Sequence, residues 1–395
     1  MVRELDDPRL ELVRLLNEAC EVEHSLMLQY LYAAFSVRPR YVALVGAASP
    51  SSSTLLGIAI QEMHHLRDVN RVLVELGAAP NFGRQDFPYQ ARNYPFPMTL
   101  ERLSRESVAK YVYAEAPRGA LAPGPDATPD ERALAEQVVG CLNCAEQPNH
   151  VGSLYGDVLA LLDEIELAEG SARVASWRET LLAIKEEGEQ DHFPFFRDVF
   201  LGHHPALAGT PSVWADPSAE TYPSFDVPRN PSALGSRTSG LEGRSLALAK
   251  LGNWVYWASL LLLDLSYRAR DARGEATRQH AIGLMSSVLY PLAQRLAAEG
   301  RALPFDRPPL GHSPGADAAA NLELARVLLA TASRVAVDLG EELGPHAKEM
   351  QAALRVLPRG ERAGEGGTRR RVSPAADRPA ASRPPVLVAG AGPAG

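Results

Sequence analysis

The sequence predicts an all-α protein, a four-helix bundle carrying a metal site and followed by a second, smaller helical subdomain. Three observations lead there. Long stretches repeat apolar residues at three- and four-residue steps, the period of an amphipathic helix. Glutamates sit inside those apolar stripes, and two of them are followed three residues later by histidine; that spacing brings two ligands to one point from one helix, as in four-helix proteins that hold two metals between carboxylates. Runs rich in Pro, Gly and Ser punctuate the helical stretches.

The first helix spans residues 9–37, with a stripe of Leu12, Leu16, Ala19, Leu26, Tyr30, Ala33 and Val37 and with Glu23 at its centre. Glu21 and His24 share the Glu-x-x-His spacing but lie outside the stripe. The second helix runs from Thr54 to Gly77 after a Ser- and Pro-rich break at 49–53 that supplies its cap. Its stripe is Leu55, Ala59, Leu66, Val69, Leu73 and Leu76. Glu62 falls within that stripe and His65 follows one turn later. A carboxylate turned into a bundle is costly unless it is paired or bound to a cation. His64 lies opposite the stripe and is expected to face solvent or to stand behind a ligand.

Residues 78–98 are rich in proline and aromatics and predict a crossover packed over the bundle. A third helix is expected over 99–115, ended by Pro117, with Glu115 on its apolar face. Thr128-Pro129-Asp130-Glu131 is a strong helix start. That helix carries Cys141 and Cys144, which pack as small apolar residues, breaks near Pro148, and resumes through Val151, Leu154, Tyr155, Val158 and Leu162. The last bundle helix begins near Ser171 and passes Trp177, Leu181 and Ile184 into Glu189-Gln190-Asp191-His192, where His192 is near the stripe, Glu189 is at its edge, and Pro194 disturbs the turn that follows.

With ten histidines in the chain, about one Glu-x-x-His match is expected by chance. Three occur, and one is rejected by its face, so the weight rests on the set rather than on any single match. The candidate ligands are Glu23, Glu62, His65, Glu115, Glu189 and His192, with Glu146 or His150 as alternatives to Glu115 for the third helix. Tyr30, one heptad after Glu23, is the candidate catalytic side chain, the alternative being core packing. Histidine and carboxylate donors favour iron, with manganese as the second choice. Glu62 or Glu115 would bridge two metals, and His65 and His192 would each cap one.

The domain boundaries read as 1–202 for the bundle, 203–243 for a Pro- and Ser-rich connecting segment, 244–357 for the second helical set and 358–385 for a disordered linker. Within the second set, helices are expected over 245–271, 274–299, 316–342 and 345–356, with Asp264 as a lone interior acid. The last ten residues, VLVAGAGPAG, read as a strand followed by Gly390, Gly392 and Gly395 in Gly-x-Gly-x-x-Gly order, the start of an FAD-binding domain cut short. A flavin-dependent monooxygenase joined in cis is the expectation. A net charge of −8 and a pI near 5.8 give no footprint for nucleic acid or anionic membrane. Three cysteines make no disulfide framework, the N-terminus lacks the pattern of a signal peptide, and the apolar run Val255–Leu263 is too short to span a bilayer, so a cytoplasmic protein is expected.

The segments ACEVEHSLMLQYLYAAFSV, IAIQEMHHLRDVNRVLVELGAAP, YAEAP, VGSLYGDVL and EEGEQDHFPFFRDV resemble the ferritin-like domain of the iminophenyl-pyruvate dimer synthase family, which includes the chromopyrrolate synthases of bisindole pigment pathways. Weaker likeness continues through YPSFDVPRNPS and AIGLMSSVLYPLAQRLA. The resemblance implies a ferritin-like bundle in natural-product biosynthesis. Together with the ligand set it leads to a non-haem di-metal oxidase or oxygenase that uses O2 on a small amino-acid-derived metabolite. Oxidative dimerisation of an aryl or indole pyruvate imine, with haem as the alternative cofactor, is the narrower version; an inactive ferritin-like scaffold is a third reading. A homodimer is left open. Two departures stand out. The family's Ile-Gly-Glu is Val151-Gly152-Ser153 here, without a carboxylate, and the family has more residues between its Gly-Glu-Gly and the histidine than separate Glu189 from His192.

Overall fold

Helix starts in this chain are set by short polar side chains. The computed structural model describes residues 3–84, 96–143, 151–169, 172–210, 212–234, 240–268, 272–307 and 317–358. Helix α1 (Pro8–Ser36) is capped by Asp7, whose side chain accepts from the N–H groups of Arg9 and Leu10. The short α2 (Val42–Val45) precedes α3 (Leu55–Glu75), whose cap is Thr54 itself rather than the serine run before it. Thr54 Oγ1 accepts from Gly57 N–H and donates to the Ser51 carbonyl. A Cβ on Gly57 would lie 1.9 Å from that carbonyl oxygen, so only glycine lets the loop cross the first turn of α3.

The third of the helices expected to carry a donor, α4 (Arg105–Glu115), starts at Arg105 and not at Thr99. The Ser104 and Ser107 side chains each take the other's backbone N–H in a capping box. The preceding residues instead bond sideways: Leu100 N–H donates to Asn230 Oδ1 while its carbonyl accepts from Asn230 N–H, and Leu103 N–H donates to Ser36 Oγ at 2.9 Å. Helix α5 (Pro129–Leu142) has the Thr128/Glu131 capping box that its sequence announces. Then come α6 (Val151–Glu169) and α7 (Ala172–Glu187), a π turn over Gly188–His192, and α8 (Phe193–Leu201).

That π turn has a cause in the sequence. Pro194 has no N–H to give the carbonyl four residues back, and its ring would clash there in α register. One extra residue in the turn relieves the clash, and Phe193 N–H reaches the Gly188 carbonyl five residues back. The proline therefore distorts the turn before it, not the turn after it as the sequence suggested. The same device recurs at Tyr290-Pro291, where a π turn over Met285–Leu289 joins α10 (Ala272–Leu284) to α11 (Tyr290–Ala298).

In the bundle, α1 packs against α3 and α6, and α4 packs against α8. Residues 221–230 wrap the C-terminal end of α1: Arg38 N–H donates to Pro223, Phe225 N–H to Ser36, and Tyr41 OH to the Thr221 carbonyl. The second helical set is α9 (Gly243–Arg268), α10, α11, α12 (Ala318–Asp338) and α13 (Gly344–Val356). By length and composition α9 is the one described helix able to cross a membrane, yet 78% of its apolar window is buried, where it packs on α10, α12 and α3. Residues 1–358 form one compact unit with a continuous apolar core.

The second set also covers the outer faces of α1 and α3. His24 is 1% exposed, held between the Gly83 carbonyl and Tyr256 OH of α9. His64 does not face solvent: it is half-buried, with its Nε2 2.7 Å from Arg278 Nη1 of α10. Burial lowers both pKa values, to about 3 for His24 and about 4 for His64, so each ring is neutral. Cys144, Glu146, His150, most of the 78–98 crossover, the 359–385 segment and Gly390, Gly392 and Gly395 lie outside the described residues.

Asp264 is the second set's interior acid, fully buried and accepting from Tyr267 OH, Arg268 Nε and Asn321 Nδ2 at 2.6, 2.9 and 2.9 Å. Asp264→Ala removes the buried acceptor that these three donors share. The expected loss is about 2–4 kcal/mol, read as a lower denaturant midpoint; an unchanged midpoint contradicts this account.

Candidate metal centre

Five of the six side chains nominated by periodicity meet in the bundle interior. Glu23 comes from α1, Glu62 and His65 from α3, Glu115 from the last turn of α4, and His192 from the π turn; none is more than 5% exposed. Glu62 stands between the two histidines. Its Oε2 lies 3.2 Å from His65 Nδ1 and its Oε1 lies 3.0 Å from His192 Nδ1. Glu23 Oε2 completes the His65 side at 3.3 Å, and Glu115 Oε1 completes the His192 side at 3.5 Å. The imidazoles are nearly parallel, 5.6 Å between centroids. The donors thus form two groups, Glu23/Glu62/His65 and Glu62/Glu115/His192, which share Glu62.

Glu189, the sixth, is not in this cluster. It forms an ion pair with Lys185 at 2.8 Å, and the two stand at the rim of the donor pocket. A π turn advances about 80° per residue where an α-helix advances about 100°, so the three steps from Glu189 to His192 no longer return to the same face. Five steps do, and the residue five before His192 is Glu187. Its Oε2 lies 2.7 Å from His65 Nε2.

The tyrosines near the cluster act as donors. Tyr30 OH hydrogen-bonds Glu115 Oε1, and Tyr155 OH donates to Glu23 Oε1 at 2.5 Å. Tyr30 also packs edge-on against Tyr111 and at 4.6 Å from Phe196, so core packing and hydrogen bonding coexist. Gly188 brings the π turn close: a Cβ there would meet Glu115 Oε2 at 3.1 Å. Tyr155, Glu187 and Gly188 escaped sequence reasoning. Tyr155 was assigned only to a packing stripe, and the acid run around Glu187 cannot be sorted by face until the π turn is known. Pro194 inside a helical pattern was the available signal for that turn.

The electrostatics are those of a buried anionic cage. Burial, then the charge of Glu62, raises Glu23 to about 7. Burial opposes ionisation of Glu62 too, but the facing His192 and His65 outweigh it and hold its pKa down. Against its own burial, His192 is raised to about 10 by Glu62 and Glu115, and His65 is raised well above its usual value by Glu187, Glu23 and Glu62. The imidazolium charges stand where cations are demanded.

The donor set fits metal. Both ring nitrogens of His192 are buried without a hydrogen-bond partner. Nδ1 is within ion-pair distance of Glu62, but the angle is not that of a hydrogen bond. Donors about 2.1 Å from one ion stand about 3.0–3.4 Å from each other, the range seen around Glu62. The enclosed space among them is about 10 Å³, room for roughly one water-sized sphere. Its outer rim is formed by Val151 and Gly152 of α6 with Lys185, Gly188 and Glu189.

Comparison with known proteins agrees with this architecture. Residues 16–197 match the family model described as Ferritin-like. The chain is similar to dichlorochromopyrrolate synthase of Lentzea aerocolonigenes, 26% identical over 224 residues, which are 50% of this chain and 20% of that enzyme. The match therefore spans about a fifth of that enzyme's length. No solved structure matches the chain. The match over 16–197 contains all five clustered donors, and over this part the chain has a ferritin-like fold.

Proposed function

We propose that the ferritin-like domain holds a dinuclear metal centre, with iron as the metal and manganese as the second choice, and that it is an oxidase or oxygenase acting on a small amino-acid-derived metabolite. The observation that carries this is the position of Glu62, whose two carboxylate oxygens each address a different histidine. Glu62 would be held in common by the two metals. Glu23 and His65 complete one site; Glu115 and His192 complete the other. Nitrogen and carboxylate donors without thiolate suit iron and manganese, and two such metals supply reductive activation of O2.

The chain's own residues hold that centre in shape. Tyr155 and Tyr30 each occupy one lone pair of a terminal carboxylate, limiting its rotation about the metal it would bind. Burial pushes the Tyr155 hydroxyl well above its ordinary pKa, so it stays a donor. Leu26 and Ile184 line the enclosed space and keep bulk water from the donors. Next to this cage an open groove of about 920 Å³ runs between α5, α8 and the α4–α5 connection, lined by Arg118, Asp130, Leu134, Phe193 and Arg197. Phe193 follows His192 directly, and Arg118 lies three residues after Glu115. Mixed charge over an apolar floor suits a small zwitterionic or carboxylate-bearing aromatic molecule.

A narrower reading, oxidative coupling of two aryl or indole imine units, is favoured by the similarity to dichlorochromopyrrolate synthase.

Anaerobic loading with ferrous iron is expected to give two irons per chain. Glu62→Ala removes a ligand from both sites and should abolish stable loading of both, whereas Glu23→Ala and His192→Ala each spare about one. A Soret band in the purified protein, or no metal uptake by the wild type, contradicts the reading. With iron bound, O2 consumption should rise above background on addition of aromatic amino-acid-derived imines if coupling is the reaction; a flat trace removes the coupling version.

Tyr155→Phe and Tyr30→Phe each remove a donor from a buried carboxylate. Each should cost the metal-free protein about 1.5–3 kcal/mol in a denaturation experiment, and stability equal to wild type would refute these hydrogen bonds.

A further inference from the structure

The π turn delivers a second acid toward the centre that the proposed ligand set does not use. Glu187, the last residue of α7, places Oε2 2.7 Å from His65 Nε2, the ring nitrogen that faces away from Glu23 and Glu62. Its other oxygen, Oε1, accepts from Gln61 Nε2, and the same amide reaches Asp191 Oδ2 at 3.2 Å. Two side chains of α3, Gln61 and His65, therefore grip one carboxylate of α7. They flank Glu62, the residue that both metal sites would share.

We propose that Glu187 is the positioning residue for His65. It accepts the Nε2–H, fixes the tautomer that leaves the Nδ1 lone pair free, and holds the ring plane so that Nδ1 points at Glu23 and Glu62. Gln61 keeps Glu187 in place. Neither residue touches the centre itself. The inference rests on the dinuclear reading above and adds to it a reason for the π turn. In unbroken α register Glu187 and His192 would lie five residues, or about 500°, apart and diverge by about 140° around the helix. With the turn closed from Gly188 to Phe193 they converge, so one distortion supplies a ligand to one metal and the support for a ligand to the other. Among the described residues no counterpart stands behind His192, whose Nε2 has no hydrogen-bond partner there. The two sites are thereby unequal, since only His65 has a carboxylate on the ring nitrogen turned away from the cluster.

Removing a supporting carboxylate of this kind weakens metal affinity by about 10–100-fold. The test is cobalt(II) titration of the full chain, followed by the visible ligand-field spectrum, with Glu187→Ala, Glu187→Gln, Glu186→Ala and wild type compared. Wild type should take up two cobalt ions. Glu187→Ala should bind one of them about 10–100-fold more weakly and change its spectrum. Glu187→Gln, whose amide oxygen still accepts the Nε2–H, should recover most of the affinity, a rescue that loss of a merely structural contact would not show. Glu186→Ala, which removes the exposed acid next to Glu187, should match wild type. Thermal midpoints of the metal-free variants establish that each is folded; a Glu187→Ala protein that does not fold leaves Glu187→Gln and Gln61→Ala to decide, the second with a smaller loss at the same site. Two full-affinity ions in Glu187→Ala, or in Gln61→Ala should that variant have to decide, or an equal loss in Glu186→Ala, overturns the inference while leaving the dinuclear reading intact. No uptake by wild type overturns both.

Discussion

Buried negative charge is the constraint around which this bundle is arranged. Glu23, Glu62 and Glu115 come from three helices and converge with at most 5% exposure. Carboxylates so placed repel one another and have lost their water, a cost of several kcal/mol per uncompensated ion. Without a cation the compensation available is two imidazolium rings and two tyrosine hydroxyls; the raised Glu23 pKa registers the cost of that arrangement and the raised His192 pKa its compensation. An apolar core of the same volume is often as stable or more so, so stability alone does not account for three buried carboxylates, whereas a group that could hold a metal ion does.

The second constraint is the proline behind His192. An uninterrupted α8 would be the easier helix to build, yet Pro194 forces a π turn, and Gly188 lets that turn approach Glu115. The turn sorts three acids at once: Glu187 to His65, Glu189 to Lys185 at the pocket rim, and Asp191 toward Gln61. The Tyr290-Pro291 turn shows that the same sequence device produces the same geometry where no ligands are involved. The π turn is therefore a backbone consequence of proline, and the metal-site geometry is built on top of it.

Much of this was legible in the sequence. Helical period located α1 and α3 to within a residue or two, and the helices of the second set nearly as well. It also chose Glu23 and Glu62 from among the neighbouring acids, because a glutamate in an apolar stripe has one direction to point. Where it went astray, a longer-range fact intervened. The start of α4 was misplaced because Leu100 and Leu103 have helical spacing but bond to Asn230 and Ser36, residues distant in sequence. Glu189 was nominated under α-helical geometry that the π turn cancels. His24 was set aside as lying off its stripe, and His64 was read as facing solvent or standing behind a ligand; an off-stripe face is exposed only if nothing else covers it, and here α9 and α10 do.

That covering bears on the centre itself. α1 and α3 provide Glu23, Glu62 and His65, and both are wedged between the rest of the bundle and the second helical set. On α1, His24 is tied to Tyr256 and Gln294 Nε2 donates to the carbonyls of Phe35 and Val37. On α3, His64 meets Arg278. Cages that must hold carboxylates within a few tenths of an ångström need rigid elements behind them. A two-layer bundle would leave the outer faces of these helices to solvent and free to shift as charge in the site changed. The second set removes that freedom with an apolar layer and three polar ties, each next to or on a ligand-bearing helix. Its lack of clustered ligands among the described residues does not make it a bystander, since it fixes the distance between the helices on which Glu23 and Glu62 face the same histidine.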